Sequence, residues 1–322
     1  MAIVGPTACG KSALALRLAE EFGGEIVNYD SVQVYRGLDI GSAKVGPLER
    51  RRIPHHLLDL VEVEEVFTAG DYRREATRCL EDIRRRGRLP ILVGGTGLYL
   101  RALLQGLFDA PPRSKRLRAR LQAMAERRGR EFVHRLLRRI DPVAAARIGR
   151  RDLPKVVRAI EVSVLLRQPI SELHAMGRRG LEGFRALKIG FNPDRAQLYE
   201  RINRRTETMF SSGLLEETRR MLAHPNADRL KPLSALGYRQ ARAALLGEIS
   251  LSDALRATQK ATRHYAKRQM TWFRRETDVQ WFDGFADDLS TQSKVLEWLT
   301  ENLGKVRQRA SADREIERAE LT

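Results

Sequence analysis

The 322-residue sequence predicts an α/β fold in which a parallel β-sheet is flanked by helices and a basic, all-helical domain is inserted. Two observations indicate the sheet: short apolar segments alternate with amphipathic ones, and a glycine-rich loop follows the first apolar segment. A third indicates the insertion, because residues 110–183 show helical spacing, many arginines and no strand pattern. We therefore expect a core from residues 1–109 and 184–302, the insertion at 110–183, and a charged tail at 303–322 that is frayed helix or disordered.

The individual elements follow from the local pattern, taken in chain order. Apolar MAIV precedes the glycine loop, and an amphipathic stretch follows that loop, which predicts a strand, a loop and a helix. A later stretch of helical spacing stops at Gly87 and is followed by apolar LPILV. Strands are predicted at 1–4, 25–28, 89–93, 186–191 and 279–282, and helices at 11–22, 71–86 and 252–274 and within 197–247.

Composition limits the class of protein. Hydrophobic residues make up 42% of the chain, which is enough for a buried core. No run of about 18 apolar residues is present, so we expect neither a membrane span nor a signal peptide, and the expected location is the cytoplasm. The two cysteines, Cys9 and Cys79, have no His or Cys at ligand spacing, which argues against a disulfide framework and a local zinc site.

The positive charge of the chain is concentrated in one segment. The net charge is +18, and residues 113–179 hold 19 Lys or Arg against 6 Asp or Glu, so 13 of the 18 charges fall there. A local excess of this kind favours RNA or DNA as a partner. The alternative is a solvated, arginine-rich helical surface that binds nothing.

The motif GPTACGKS carries the strongest functional signal. It matches G-x-x-x-x-G-K-[ST] between a predicted strand and a predicted helix, where backbone N–H groups converge on phosphate oxygens. Lys11 would neutralise the phosphate, and the Ser12 hydroxyl would be a ligand of Mg²⁺. The predicted phosphate-binding residues are Gly5, Pro6, Thr7, Ala8, Cys9, Gly10, Lys11 and Ser12, with Cys9 as a small packing residue or a thiol of lowered pKa.

The acidic residue that a nucleotide-hydrolysing enzyme needs is missing from its usual place. The strand LPILV ends in GGTG, at residues 94–97, and not in a carboxylate that could hold Mg²⁺. Asp30 lies instead just past another strand end, where open α/β sheets bind ligands. Its carboxylate could bind Mg²⁺, accept a proton from a nucleophile, or cap the following turn.

Six motifs in this order and at these separations resemble the bacterial tRNA dimethylallyltransferases: GPTACGKS, DSVQVYRGLDIGSAK, PHHLLD, GGTGLYL, LGYRQ and KRQMTWFR. The resemblance covers nearly the whole chain. It implies a P-loop NTPase-like core with an inserted tRNA-binding domain. No Cys/His cluster follows the core, so the zinc-finger extension typical of eukaryotic members is not expected.

The resemblance implies an activity. The dimethylallyl group of dimethylallyl diphosphate would move to the N6 amine of adenosine 37, just 3′ of the anticodon, in tRNAs that read codons starting with U. N6-dimethylallyladenosine and diphosphate would be the products, and Mg²⁺ the cofactor. In this assignment Asp30 is the general base, Thr96 contacts the reacting centre and Arg205 contacts the diphosphate.

The same resemblance assigns tRNA contacts and a monomeric state. Pro154 and Lys155 stand where the family often has a Gln-Arg pair, so the second basic position, Arg158, is the firmer match. Tyr238, Trp272 and Phe273 are either base-stacking groups or core residues. The matching tRNA-binding positions are Asp30, Ser31, Val32, Gln33, Thr96, Arg118, Pro154, Lys155, Val156, Val157, Arg158, Lys267, Arg268, Gln269, Met270, Thr271, Trp272, Phe273 and Arg274.

Three other functions fit parts of the sequence. A P-loop kinase of a small metabolite would use Asp30 to position a hydroxyl, but it needs no basic insertion. A prenyltransferase acting on free adenine nucleotides would be shorter and would lack the tRNA-contact motifs. A non-catalytic RNA-binding protein with a nucleotide-dependent switch is the third.

Overall fold

The computed structural model describes residues 1–108, 111–177 and 179–320, and from residue 305 onward it describes the backbone alone. The expected junction between core and insertion, at residues 109–110, lies outside the described residues, as does the end of the tail at 321–322. Among the described helices, none combines the length and the apolar composition that a membrane crossing requires.

The described residues form one parallel sheet of six strands, which confirms the predicted fold class. Five strands lie within two residues of the predicted positions. The sixth, β3, has two residues and was not predicted, because so short a segment shows no periodicity. The order across the sheet is β3-β2-β4-β1-β5-β6, with β1 at Ala2–Val4, β2 at Gly24–Asn28, β3 at His55–His56, β4 at Leu89–Val93, β5 at Lys188–Asn192 and β6 at Val279–Asp283.

Fourteen α-helices accompany the sheet within the described ranges. The third begins at a capping box, in which Thr68 and Asp71 bond each other's backbone N–H groups. The helices are α1 Lys11–Phe22, α2 Pro47–Arg52, α3 Ala69–Arg85, α4 Gly97–Leu104, α5 Lys115–Arg128, α6 Arg130–Ile140, α7 Pro142–Arg147, α8 Leu153–Leu166, α9 Ile170–Ala175, α10 Arg195–Ser211, α11 Leu214–Leu222, α12 Tyr238–Leu245, α13 Leu251–Phe273 and α14 Leu289–Glu320.

The chain divides into two compact units. One consists of Met1–Ala102 and Gly183–Thr322 and contains the sheet, whose strand β1 is completely buried. The other, Leu103–Glu182, contains α5 to α9, which pack around a small apolar core that includes Val133, Leu137 and Val156. Each unit therefore has its own hydrophobic core.

Candidate active site

The phosphate loop, residues 5–12, joins β1 to α1 at the carboxyl end of the sheet. Ala8 and Gly10 have φ angles of 64° and 87°, in the left-handed region that allows a tight curl of the chain. A Cβ added at Gly10 would lie 2.5 Å from the carboxyl carbon of Asp287, so a side chain has no room there. The loop meets the N-terminus of α1, where free N–H groups and the helix dipole favour an anion.

Lys11 lies folded into this loop. Its Nζ donates to the carbonyl oxygens of Gly5, at 3.0 Å, and Pro6, at 2.7 Å. Burial lowers the pKa of Lys11, since the charged ammonium is kept from water. Burial also raises the pKa of the Cys9 thiol, and the side chain is completely buried, which favours a packing role over that of an acidic thiol. Ser12 is exposed at the start of α1 and lines the cavity next to the loop.

Asp30 follows β2, and its two carboxylate oxygens have different surroundings. Oδ1 accepts backbone hydrogen bonds from Val32 at 2.8 Å and Gln33 at 3.4 Å, so it caps the turn after the strand. Oδ2 lies 3.0 Å from the point that a Cβ on Gly95 would occupy. Burial raises the pKa of Asp30, while the two backbone bonds and the charges of Lys11 and Arg205 oppose that rise. The turn-capping role and a chemical role are therefore compatible, one for each oxygen.

Thr96 and Ser31 connect the ends of β4 and β2. The Thr96 hydroxyl accepts from the Ser31 backbone N–H at 3.0 Å and donates to the Ser31 hydroxyl at 3.1 Å. The Thr96 backbone N–H also donates to the carbonyl of Tyr29, at 3.2 Å. These bonds hold Tyr29 and Ser31, the two chain neighbours of Asp30, against the GGTG loop.

Two adjacent cavities meet at Asp30. The smaller, about 330 Å³, follows the phosphate loop and contains Ser12. The larger, about 600 Å³, extends past Val32 and Ile202. Arg205 lines both cavities, with its Nη1 at 3.5 Å from the Thr7 hydroxyl, and burial lowers its pKa while the charge of Asp30 raises it. Of the three residues predicted as catalytic, Asp30 and Arg205 line both cavities, while Thr96 is hydrogen-bonded to Ser31, which lines the larger one.

The stretch at residues 267–274 divides into an exposed and a buried set. Lys267, Arg268, Thr271 and Arg274 are exposed. Phe273 is completely buried, as is Tyr238, so both are core residues and the alternative of base stacking by their rings is wrong. The Gln269 side chain is 4% exposed and contacts two loops of the site, a role that the linear pattern gave no sign of.

The predicted contacts in the inserted unit have a similar division. Val156 and Val157 are buried in the core of that unit, so their side chains cannot contact RNA; Pro154 and Lys155 are exposed. Glu161, completely buried, accepts both a bidentate pair of bonds from Arg118, at 2.8 and 2.9 Å, and a bond from Arg158 at 2.6 Å. The two arginines are therefore held in fixed orientations by one carboxylate.

A metal ion at this site has few protein ligands available. The part of the chain that the structure describes contains no group of three His, Cys, Asp or Glu side chains that could hold a metal. The Ser12 hydroxyl at the smaller cavity fits Mg²⁺, which commonly takes one or two protein ligands together with substrate phosphates and water.

Several known proteins are similar to this chain over most of its length. The family model for IPP transferase matches residues 33–276. The chain is 52% identical to the tRNA dimethylallyltransferase of Koribacter versatilis, over 92% of this chain and 96% of that one, and 50% identical to that of Solibacter usitatus, over 95% and 99%. The crystal structure of the full-length tRNA isopentenylpyrophosphate transferase of Bacillus halodurans matches with a TM-score of 0.68 at 35% identity, over 97% of this chain and 98% of that one. A eukaryotic dimethylallyltransferase acting on tRNA matches with a TM-score of 0.81 at 26% identity, over 94% and 79%.

Proposed function

The chain belongs to the IPP transferase family, and we propose that it prenylates the N6 amine of adenosine 37, just 3′ of the tRNA anticodon. The protein is a transferase that moves the dimethylallyl group to tRNA. The position of Asp30 at the junction of two cavities supports the finer assignment, because a proton acceptor there can serve a nucleophile in one cavity and a diphosphate in the other.

The smaller cavity fits the diphosphate of dimethylallyl diphosphate. Cleavage of the C–O bond places negative charge on the leaving diphosphate, while the allyl carbon becomes cationic. The amides at the N-terminus of α1 and the Lys11 ammonium stabilise the charge on the diphosphate as it develops. Lys11 now bonds two loop carbonyls, and phosphate oxygens are stronger acceptors that would take those donors. Arg205 adds a second cation at the same cavity.

We assign the Mg²⁺ position to the Ser12 hydroxyl, with diphosphate oxygens and water completing the coordination. The ion would supply further neutralisation of the leaving group. Its absence would leave Lys11 and Arg205 as the neutralising groups in the smaller cavity, so diphosphate binding should weaken but persist.

Asp30 is the general base in this proposal. An adenine amine is a weak nucleophile, and removal of its proton as the N–C bond forms contributes about 10²–10⁴-fold to the rate. Oδ1 is occupied by the backbone of the following turn, so Oδ2 is the proton acceptor. Burial raises the pKa of Asp30, which makes the carboxylate a stronger base than an exposed aspartate.

The larger cavity receives the adenine, which must leave its stack in the anticodon loop to reach Asp30. Ser31 and Val32 line this cavity, and the Thr96 hydroxyl is hydrogen-bonded to the Ser31 hydroxyl. Exposed cations of the inserted unit bind the phosphate backbone of the anticodon stem-loop, which supplies affinity and register more than base reading. We further propose that the enzyme acts as a monomer in the cytoplasm.

A single-turnover assay tests the proposal. The protein is incubated with dimethylallyl diphosphate, Mg²⁺ and one acceptor: an anticodon stem-loop with adenosine at position 37, the same loop with guanosine there, or free AMP. Prenylated adenosine should form only in the first. Product with AMP alone would indicate an enzyme acting on free nucleotides, and phosphorylation of a metabolite from ATP would indicate a kinase.

A further inference from the structure

Gln269 on α13 connects two loops that are far apart in the sequence. Its Oε1 accepts a hydrogen bond from the backbone N–H of Thr7, at 2.7 Å, within the phosphate loop. Its Nε2 donates to the carbonyl oxygen of Gly95, at 2.9 Å, within the GGTG loop that carries Thr96. The side chain is 4% exposed, so both bonds lie away from water, where they are strong and costly to lose.

Tyr265, one helical turn earlier on α13, supports the same loop. Its hydroxyl donates to the Gly95 carbonyl, at 2.9 Å, so that one oxygen accepts from two side chains. Burial raises the pKa of Tyr265 well above its ordinary value, so the hydroxyl keeps its proton and remains a donor. A Cβ on Gly95 would lie 2.8 Å from Gln269 Nε2, 3.0 Å from Asp30 Oδ2 and 3.1 Å from the Tyr265 oxygen. The three side chains therefore close around a glycine that leaves no free space between them.

We propose that Gln269 is a positioning residue that fixes the phosphate loop relative to Asp30 and Thr96, and that it makes no contact with RNA. This inference rests on the proposed prenyl transfer and deepens it. The phosphate loop holds the diphosphate, and the turn beside Gly95 holds the proton acceptor. The distance between the reacting carbon and the amine is therefore fixed only when the distance between these two loops is fixed. A misplacement of about 1 Å between reacting groups can cost about 10²-fold in rate.

The chemistry of the side chain explains why an amide is needed. An amide of this length can accept from an N–H with one atom and donate to a carbonyl with the other. Glutamate would keep the acceptor for Thr7 but would turn a carboxylate oxygen toward the Gly95 carbonyl and Asp30. Methionine has a similar length but provides neither a strong donor nor a strong acceptor.

The test compares Gln269→Met, Gln269→Glu and Tyr265→Phe with the full-length wild type. Thr218→Val is the matched control, because the buried Thr218 hydroxyl bonds the Leu214 carbonyl at 2.8 Å and does not line the cavities at Asp30. Four quantities are measured for each protein: kcat at saturating stem-loop RNA, KM for dimethylallyl diphosphate, Kd for the RNA, and Tm. A pH–rate profile is added for the glutamate variant.

We expect Gln269→Met to lower kcat by about 10–100-fold while the RNA Kd stays within about twofold. Tyr265→Phe should lower kcat less, since the bond between Gln269 and Thr7 remains. Gln269→Glu should shift the acidic limb of the pH–rate profile upward, because a second carboxylate near Asp30 favours its protonated form. This last variant keeps the test decisive if the methionine variant fails to fold.

Two results would overturn the inference. Weakened RNA binding with unchanged kcat at saturating RNA would make Gln269 an RNA contact. Equal losses of Tm and kcat in Gln269→Met and Thr218→Val, with no shift of the pH–rate profile in Gln269→Glu, would make it a residue of the general structure. Failure of the wild-type protein to prenylate RNA would instead refute the proposed function, so the two failures can be told apart.

Discussion

The buried Glu217 carboxylate accepts a hydrogen bond from the Tyr238 hydroxyl at 2.8 Å, and Tyr238 is itself completely buried. The same carboxylate accepts three backbone N–H bonds, from Asp39 at 2.8 Å, Ile40 at 2.7 Å and Gly41 at 3.1 Å. One carboxylate on α11 thus satisfies four donors and fastens the segment that leads into Ser42, which lines both cavities.

Loss of this carboxylate should destabilise the protein strongly. Glu217→Ala leaves buried donors without an acceptor, at a cost of about 1–3 kcal/mol for each group that water cannot reach. We expect a lower free energy of unfolding by urea and faster proteolysis within residues 39–44. Glu216→Ala is the control, since Glu216 is the exposed neighbour on the same helix and, among the described residues, pairs at the surface with Arg219. Equal unfolding free energies for the two variants would contradict the anchoring role.

Replacement of Asp30 should separate chemistry from binding. Asp30→Ala removes the proton acceptor and is expected to lower kcat by about two orders of magnitude or more. The RNA Kd should change little, because RNA affinity comes mainly from phosphate contacts elsewhere. Quench-flow turnover and filter binding measure the two quantities. Unchanged turnover would show that Asp30 is not the general base.

The raised pKa of Asp30 also predicts a dependence of stability on pH. Burial raises the pKa of the folded carboxyl above the ordinary 3.8, so the folded protein holds this proton more tightly than the unfolded chain. The contribution of Asp30 to the free energy of unfolding is fully present below pH 3.8 and is lost as the pH rises through the higher pKa of the folded protein. Wild type should therefore lose free energy of unfolding relative to Asp30→Asn as the pH rises from 3.8 toward neutrality.

Urea titrations of both proteins at a series of pH values measure that difference. The acidic limb of the wild-type pH–rate profile should have its midpoint above 3.8 for the same reason. A free-energy difference that is constant with pH, together with an acidic limb at or below 3.8, would show that Asp30 titrates as an ordinary exposed carboxyl.

The inserted unit should contribute to RNA binding through exposed arginines. Arg135, Arg138 and Arg139 on α6 are exposed, and among the described residues none of them lies in a salt bridge. Replacing all three by Ala should weaken RNA binding and make the log Kd against log salt slope shallower, by about 0.7–0.9 for each lost phosphate contact. A control with Arg51→Ala and Lys294→Ala removes exposed cations from the other unit. Equal slopes in both variants would show that the α6 arginines are part of a solvated surface and do not contact RNA.

The sequence was most informative where function depends on local chain geometry. The phosphate loop, the strand ends at Asp30 and Thr96, and five strands could be predicted because each follows from a short pattern of apolar residues, glycines and polar residues. Strand β3 could not, because His55 and His56 are too few to show a period.

The supporting residues could not be predicted, because their roles arise from contacts distant in the chain. Gln269 meets Thr7 across 262 positions, and Glu217 meets Gly41 across 176. Nothing near either residue in the sequence marks it as a hydrogen-bond bridge. Likewise, the sequence predicts Arg118 and Arg158 only as RNA contacts. In the structure both side chains also donate hydrogen bonds to the buried Glu161 carboxylate.

The proposed reaction is prenyl transfer to the adenosine 3′ of the anticodon, with Asp30 as the base. Mass spectrometry of an anticodon stem-loop after a single turnover with dimethylallyl diphosphate and Mg²⁺ tests it most directly. Wild type should attach one dimethylallyl group to N6 of adenosine 37, and Asp30→Ala should reduce this yield at least about 100-fold. No prenylated adenosine from folded wild-type protein, or equal yields from the two proteins, would contradict it.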